Sequence, residues 1–108
     1  MSTVTTHVLD TALGTPAQGI RVTLSLGGRE IGSAVTDADG RAKELQGKSA
    51  MAEGAYALTF SVGPYFRAAH RDTFYDTIVV EFKVHDGEQH YHVPLLLSPF
   101  AYSTYRGS

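Results

Sequence analysis

The amino-acid sequence predicts an all-β sandwich of two sheets with one short helix, folded as a single domain over residues 1–108. Turn-forming residues recur at short, regular intervals, which is the spacing of a sandwich. Between these turns, apolar residues alternate with polar ones, as they do in strands with one buried face. A chain of this length buries roughly 65% of its unfolded surface, which is enough for one core.

The composition excludes several classes of protein. The chain has no cysteine, so disulfides, thiolate metal sites and a cysteine nucleophile are excluded. Nine Lys and Arg against 11 Asp and Glu give a net charge of −2, which does not favour a nucleic-acid partner. No apolar run approaches the ~20 residues that span a membrane. The first 14 residues, MSTVTTHVLDTALG, lack the features of a secretory signal and predict a cytoplasmic protein.

The first half of the chain predicts three strands. The first covers residues 5–10, and the second covers residues 20–26, where apolar and polar residues alternate cleanly. Gly27-Gly28 tolerates the positive φ of a two-residue hairpin, so the third strand, over residues 29–36, returns beside the second. The segment Asp37–Gly40 then predicts a turn in which Asx side chains cap their own backbone.

The middle of the chain changes character twice. Residues 41–54 have no sustained period and predict a loop with at most a short helical turn. Alternation resumes in residues 55–62 and predicts a strand. Gly63-Pro64 then opens residues 65–71, where proline at a first helical position and two alanines favour one or two turns of helix.

The remaining strands cover residues 77–85, 89–97 and 101–105. Asp86-Gly87 separates the first two and is a strong hairpin signal, so we expect those two strands to be antiparallel neighbours.

The strand over residues 89–97 has two unlike faces. One face is apolar and suits a core: Tyr91, Val93, Leu95 and Leu97. The opposite face mixes imidazoles with apolar side chains: His90, His92, Pro94 and Leu96. An isolated sheet face in water usually carries more charge. This face therefore meets another subunit or lies partly covered under a loop, and the sequence does not decide between the two.

Two histidines two residues apart share one side of a strand, so His90 and His92 could form a zinc site with His7 as a third ligand. The spacing marks no carboxylate and no fourth ligand. A metal-free pair, with one histidine on the surface and one in a pocket, is therefore favoured.

Several segments together carry a family resemblance. They are HVLDTALGTPA at 7–17, TDADGR at 36–41, GPYF at 63–66 and HYHVPLLLSPFAYSTYRGS at 90–108. In this order the chain resembles the transthyretin-like proteins and, within them, the 5-hydroxyisourate hydrolases of purine degradation. The terminal segment Tyr105–Ser108 is the most specific part of the match. One departure is Asp76, where the family commonly has proline after the Phe-Tyr pair.

The resemblance implies a transthyretin-like two-sheet sandwich that assembles as a homotetramer, a dimer of dimers, with paired sites in a central channel. It implies hydrolysis of 5-hydroxyisourate to 2-oxo-4-hydroxy-4-carboxy-5-ureidoimidazoline, on the route from urate to allantoin, without metal or cofactor. The implied catalytic residues are His7, Arg41 and His92. The implied substrate-binding residues are Tyr105, Arg106, Gly107 and Ser108.

Roles for these residues follow from the resemblance and from the chemistry of hydrolysis. We expect His7, beside Arg41, to help activate water, because its ordinary pKa of about 6.5 leaves an imidazole largely neutral near pH 7. His92 would bind the substrate ring or carry the proton, and Tyr105 and Ser108 would close the pocket. Two other classes compete: a non-catalytic carrier of small hydrophobic ligands on the same scaffold, and a structural β-sandwich with incidental histidines.

Overall fold

The computed structural model describes residues 2–85 and 89–108. Within these residues, ten strands form two sheets, and one short helix follows the sixth strand. The bounds are β1 Thr3–Asp10, β2 Thr15–Pro16, β3 Arg21–Leu26, β4 Arg29–Val35, β5 Arg41–Ala42, β6 Gly54–Ser61, α1 Val62–Ala68, β7 Thr77–Val84, β8 His90–His92, β9 Leu95–Leu97 and β10 Tyr102–Thr104. In this part of the chain, no helix has the length and apolarity needed to cross a membrane.

Strand β1 is the centre of the first sheet. The short strands β2 and β5 pair antiparallel with it, whereas β8 and β9 run parallel to it, and β10 pairs antiparallel with β9. Side chains of β1 alternate strictly between half-buried and buried. The buried side faces the second sheet, so the half-buried side, which includes His7, forms the outer face of the sandwich.

The second sheet has the order β4-β3-β6-β7, and all of its pairs are antiparallel. The hairpin predicted between β3 and β4 is confirmed, because Leu26 pairs with Arg29 and both Gly27 and Gly28 have positive φ. The alternating apolar residues of β3, β6 and β7 point inward and pack against the inner face of the first sheet. A sandwich with one helix is therefore confirmed.

The predicted pairing of residues 77–85 with residues 89–97 is wrong. Strand β7 lies at the edge of the second sheet, whereas β8 and β9 pair with β1 in the first sheet. Both segments present an apolar face to the same core, but from opposite sides. Alternation reports which face of a strand is buried and not which sheet holds the strand, so it does not separate a hairpin from a crossing between sheets. The turn predicted at Asp86-Gly87 lies outside the described residues.

The helix begins earlier than predicted. It covers Val62–Ala68, so Pro64 is its third residue rather than its first. Proline fits there as well, because the first N–H groups of a helix have no partner within the helix. Gly63, the second residue, donates its N–H to the carbonyl of Asp76 at 2.8 Å, which ties the helix start to the segment before β7.

A buried carboxylate connects β1 to the region of the helix. Asp10 is fully buried and accepts hydrogen bonds from Arg71 at 2.7 Å and from the Tyr65 hydroxyl at 2.8 Å. Burial by itself raises the pKa of Asp10. The hydrogen bonds from Arg71, Tyr65 and the Leu13 N–H, together with the charge of Arg71, outweigh it and leave this pKa below its ordinary value. Asp10 is therefore ionised and paired at neutral pH.

Candidate active site

The outer face of β1 brings two of the predicted site residues together. His7 on β1 and Arg41 on β5 are direct partners in the antiparallel register, although 33 positions separate them in the sequence. Side chains that lie directly opposite in a sheet are neighbours on one face. The sheet therefore sets the imidazole of His7 beside the guanidinium of Arg41.

The turn before β5 holds Arg41 in this register. The carboxylate of Asp37 accepts hydrogen bonds from the backbone N–H of Asp39 at 2.9 Å and of Arg41 at 3.0 Å. The pKa of Asp37 is lowered, chiefly by the N–H of Arg41. The Asx cap predicted for this turn is thus confirmed at Asp37, and Gly40 completes the turn with a positive φ.

The third predicted site residue enters from the other edge of β1. His92 on β8 lies opposite Thr5 in the parallel register, and its Nδ1 is 2.7 Å from the Thr5 hydroxyl oxygen. The ring of His90 stacks against that of His92 with 6.2 Å between centroids. His90 is exposed and His92 is half-buried.

These residues surround a cavity of about 330 Å³. Its wall is formed by Thr5, Thr6, Arg41, Lys43, His90, His92 and Ser108. His7 lies beside this wall, in register with Arg41, and acts electrostatically on His92. The volume lies at the lower end of the range for small-molecule pockets.

His92 is held neutral by its surroundings. Burial lowers its pKa, and the positive charge of Arg41 and the neighbouring rings of His90 and His7 lower it further. An imidazole with a lowered pKa keeps a free lone pair at neutral pH, which is what a general base requires.

The C-terminal tail packs directly on His92. Gly107 forms an antiparallel bridge with His92 and donates its N–H to the His92 carbonyl at 2.8 Å. A Cβ at Gly107 would lie 2.5 Å from Cδ2 of His92 and 3.2 Å from Cγ of Pro94, so only glycine fits here. The tail therefore covers Pro94, whereas Leu96 stays half-exposed. Of the two explanations for this mixed face, covering by another segment of the chain therefore holds for Pro94. Leu96 remains available for a contact with another subunit.

Two residues of the tail lie away from the cavity. Tyr105 and Arg106 line a separate, more apolar cavity of about 310 Å³ between β7 and the tail. The guanidinium carbon of Arg106 lies 4.9 Å above the centre of the Tyr91 ring, and its Nη2 donates to the Gln89 side chain at 3.1 Å. Of the four tail residues named from the sequence, Ser108 lines the histidine cavity and Gly107 contacts His92.

Sequence reasoning missed three residues of the cavity wall, Thr5, Thr6 and Lys43, and the place of His90 in that wall. Thr5 precedes His7 by two positions on β1 and so lies on the same side of that strand, and Lys43 follows Arg41 by two positions, just beyond the end of β5. That spacing rule was the available signal. His90 was assigned to the surface, yet it also borders the cavity.

The described residues contain no group of three or more His, Asp or Glu side chains arranged to hold a metal ion. His90 and His92 stack with their ring planes 10° apart. The metal-free site stays a prediction that a chelator tests.

Comparison with known proteins assigns the family. The model of the HIUase/Transthyretin family matches residues 4–107. The chain belongs to this family. A 5-hydroxyisourate hydrolase of Caulobacter vibrioides is 45% identical over 116 residues, which cover 100% of both chains.

Solved structures of this family agree. The 5-hydroxyisourate hydrolase of Klebsiella pneumoniae superposes with a TM-score of 0.89 at 40% identity and covers 100% of both chains. Sea bream transthyretin in complex with thyroxine gives a TM-score of 0.88 at 32% identity, covering 96% of this chain and 93% of the other. The transthyretin-like fold predicted from the sequence is confirmed.

Proposed function

We propose that this chain is an enzyme that hydrolyses 5-hydroxyisourate to 2-oxo-4-hydroxy-4-carboxy-5-ureidoimidazoline, a step between urate and allantoin. The observation that carries the proposal is the convergence of His7, Arg41 and His92 from three separate strands beside one cavity. Relatives that are 45% identical over the full chain bear the name of this activity. A carrier of hydrophobic ligands needs none of these polar groups.

His92 is the residue best placed to activate water. Its Nδ1 forms a hydrogen bond with the Thr5 hydroxyl, and its ring borders the cavity. Burial and the charge of Arg41 lower its pKa. In the proposed step, Nε2 of His92 takes a proton from water, and the hydroxide oxygen bonds to the ring carbonyl carbon. The carbon–nitrogen bond then breaks, and the imidazolium returns its proton to the leaving nitrogen. Sequence reasoning gave this role to His7; the geometry favours His92, with His7 beside Arg41 as a second imidazole.

Two cations on the cavity wall suit the negative charge that this reaction develops. Arg41 and Lys43 lie two residues apart and border the same cavity. Charge develops on the carbonyl oxygen during water attack and persists on the carboxylate of the product. Fixed positive groups at such a site stabilise the transition state. We assign this role to Arg41, with Lys43 in support.

The tail residues divide into two roles. Gly107 and Ser108 shape the cavity, whereas Tyr105 and Arg106 anchor the tail through the outer cavity and the Tyr91 ring. Deleting residues 105–108 removes a tail that contacts the fold through the bridge to His92 and through Arg106 on Tyr91 and Gln89, and none of its four residues belongs to the core of the sandwich. We expect the truncated chain to fold and to lose turnover. Full activity of the truncated chain would contradict a role for the tail.

The same proposal includes a homotetramer, a dimer of dimers. The single chain leaves large apolar side chains exposed: Leu13, Val35, Phe74, Val79, Phe100, Tyr102 and Tyr105. Phe74 and Tyr102 flank the Tyr75 ring, with 5.2 and 5.1 Å between ring centroids, so part of this surface is one connected apolar patch, as in subunit contacts. Light scattering on the purified protein tests the assembly, and a monomer at micromolar concentration would contradict it. The cytoplasmic location stays a prediction from the N-terminal sequence.

The deciding experiment generates 5-hydroxyisourate with urate oxidase and follows its ultraviolet decay with and without the protein. We expect the protein to accelerate the decay, and His92→Ala and Arg41→Ala to remove most of the acceleration. His7→Ala tests the second imidazole. An unchanged decay with the wild-type protein would overturn the enzyme proposal and leave the carrier as the alternative.

A further inference from the structure

Two threonines and two histidines form a continuous hydrogen-bonded row along the outer face of β1 and β8. The Thr3 hydroxyl oxygen lies 2.5 Å from Nδ1 of His90. The Thr5 hydroxyl oxygen lies between the rings, 3.2 Å from Nε2 of His90 and 2.7 Å from Nδ1 of His92. The parallel register places Thr3 opposite His90 and Thr5 opposite His92, so the sheet itself fixes this row.

Proton counting restricts how this row can be hydrogen-bonded. A hydroxyl has one proton and two lone pairs, and a neutral imidazole has one N–H, so Thr5 can donate to at most one of its two ring nitrogens and must accept from the other. If both rings donate to Thr5, Nε2 of His92 is bare and the Thr5 proton has no partner within the row. Two arrangements give the Thr5 proton a partner within the row. In one arrangement His92 donates from Nδ1 to Thr5, Thr5 donates to His90, and His90 donates to Thr3. Nε2 of His92 then carries a lone pair. In the opposite arrangement Thr3 donates to His90, His90 donates to Thr5, and Thr5 donates to Nδ1 of His92. The proton of the His92 ring then lies on Nε2.

The charges around the cavity select between the two arrangements. Arg41 and Lys43 line the cavity that His92 also borders. Their positive charge attracts a lone pair and repels an N–H dipole, so it favours a bare Nε2 on His92. The lowered pKa of His92, to which Arg41 contributes, agrees with this placement of charge.

We propose that Thr5 is a positioning residue: its hydroxyl accepts the Nδ1–H of His92 and donates to Nε2 of His90, and this holds Nε2 of His92 as the free base. His90 acts through Thr5 by accepting the hydroxyl proton. When Nε2 takes a proton from water, the bond from Nδ1 to Thr5 becomes charge-assisted and stabilises the imidazolium. The kinetic part of this proposal rests on the proposed hydrolysis; the tautomer of His92 does not.

The tail completes the restraint on the ring. Thr5 holds the Nδ1 edge of His92, and Gly107 packs against the Cδ2 edge. A ring held on both edges does not turn about its Cβ–Cγ bond without breaking one of these contacts. The side chain is therefore restrained in orientation as well as in tautomer.

The direct test is the tautomer of His92, read from the ¹⁵N shifts of its ring nitrogens by NMR at a pH where the ring is neutral. We expect the wild-type protein to have the Nδ1–H form. The variant Thr5→Val keeps the shape of the side chain but removes the hydroxyl, and we expect it to lose this preference. Thr5→Ser restores it. Thr59→Val on the second sheet is the matched control, since valine suits a strand as well as threonine does.

Kinetics give a second readout. We expect Thr5→Val to lower kcat about tenfold, with KM changed less than about twofold, because the lost hydrogen bond is strongest in the charged transition state. The groups that face His92 or share its cavity and stay in place are His7 on β1, Arg41 and Lys43 on and after β5, His90 on β8, and Ser108 with its carboxylate at the end of the tail. With these constant, loss of the acceptor lowers the pKa of His92, and the acid limb of the kcat profile moves to lower pH by about half a unit to one unit.

Each outcome decides one question. An Nε2–H tautomer of His92 in the wild-type protein overturns the positioning role, even if the Thr5→Val variant fails to fold. If a folded Thr5→Val variant has the same His92 tautomer and the same kcat as the wild type, the positioning role is overturned as well. If the wild-type protein does not accelerate 5-hydroxyisourate decay, the proposed hydrolysis fails, and the tautomer measurement still tests Thr5.

Discussion

Replacing Gly107 with alanine tests the contact between the tail and His92. The added Cβ would lie 2.5 Å from Cδ2 and 3.3 Å from Cγ of His92, and 3.2 Å from Cγ of Pro94. Carbon atoms that are not bonded rest at about 3.5–4.0 Å, so the tail must retreat by about 1 Å. Because the bridge to His92 closes at 2.8 Å, this retreat breaks the Gly107 hydrogen bond and displaces Ser108 from the cavity.

A misplacement of about 1 Å in a catalytic site can cost about a hundredfold in rate. We therefore expect kcat/KM of Gly107→Ala to fall about 100-fold, or about 2.7 kcal/mol of transition-state stabilisation. The fold loses one hydrogen bond of about 1 kcal/mol, which lowers Tm by about 4–8 °C. Activity thus falls far more than stability does.

The assay is the decay of 5-hydroxyisourate, with thermal unfolding followed by circular dichroism. Gly54→Ala on β6 is the matched control, because a Cβ there meets Leu26 at 3.4 Å and Tyr56 at 4.0 Å, which are ordinary contacts. We expect the control to keep full activity. Wild-type kcat/KM in Gly107→Ala would refute the reasoning that the tail shapes the site through His92.

Three further predictions concern charge and metal. Arg41→Met removes the guanidinium, and we expect it to raise the pKa of His92 toward its ordinary value, as measured by an NMR titration of the His92 ring. Arg21→Met on the second sheet is the control. An unchanged His92 pKa in Arg41→Met would contradict the effect. The pKa of Asp10 is lower in the folded protein than in the unfolded chain, where it is about 3.9. Ionised Asp10 therefore stabilises the fold at pH values above the unfolded-state pKa, and this stabilisation is lost as the pH falls through the folded-state pKa. We therefore expect urea midpoints to fall less between pH 5 and pH 2.5 in Asp10→Asn than in the wild type, and equal falls would contradict this role. A chelator should leave the decay rate unchanged, and loss of activity would contradict the metal-free site.

Local sequence signals predicted most of the strands but not all of their neighbours. The hairpin at Gly27-Gly28 was predictable because both of its strands and its turn lie within the 15 residues from Arg21 to Val35. The position of β8 and β9 beside β1 was not, because that pairing joins residues more than 80 positions apart. The signal at Asp86-Gly87 indicated a turn and gave no information on which sheet the chain enters next.

The candidate site shows the same limit. Alternation placed His7 and His92 on outward faces, and the resemblance added Arg41 beside His7, but neither gave the strand register that makes His7 and Arg41 direct partners. The tail does not follow the alternation of a strand, because Arg106 turns to the Tyr91 ring while Ser108, two positions further on, borders the cavity. Only the paired backbone fixes which neighbours in sequence become neighbours in space.

The central place of β1 has a consequence for how the protein is made. Of the described strands this one is synthesised before the others, yet both of its edges are filled by later segments: residues 15–16 and 41–42 on one side, and residues 90–97 on the other. A nascent chain therefore exposes an unpaired strand edge until most of the polypeptide has left the ribosome. Such edges are prone to pair with other chains. Newly made copies are thus most vulnerable to aggregation before the last quarter of the chain arrives.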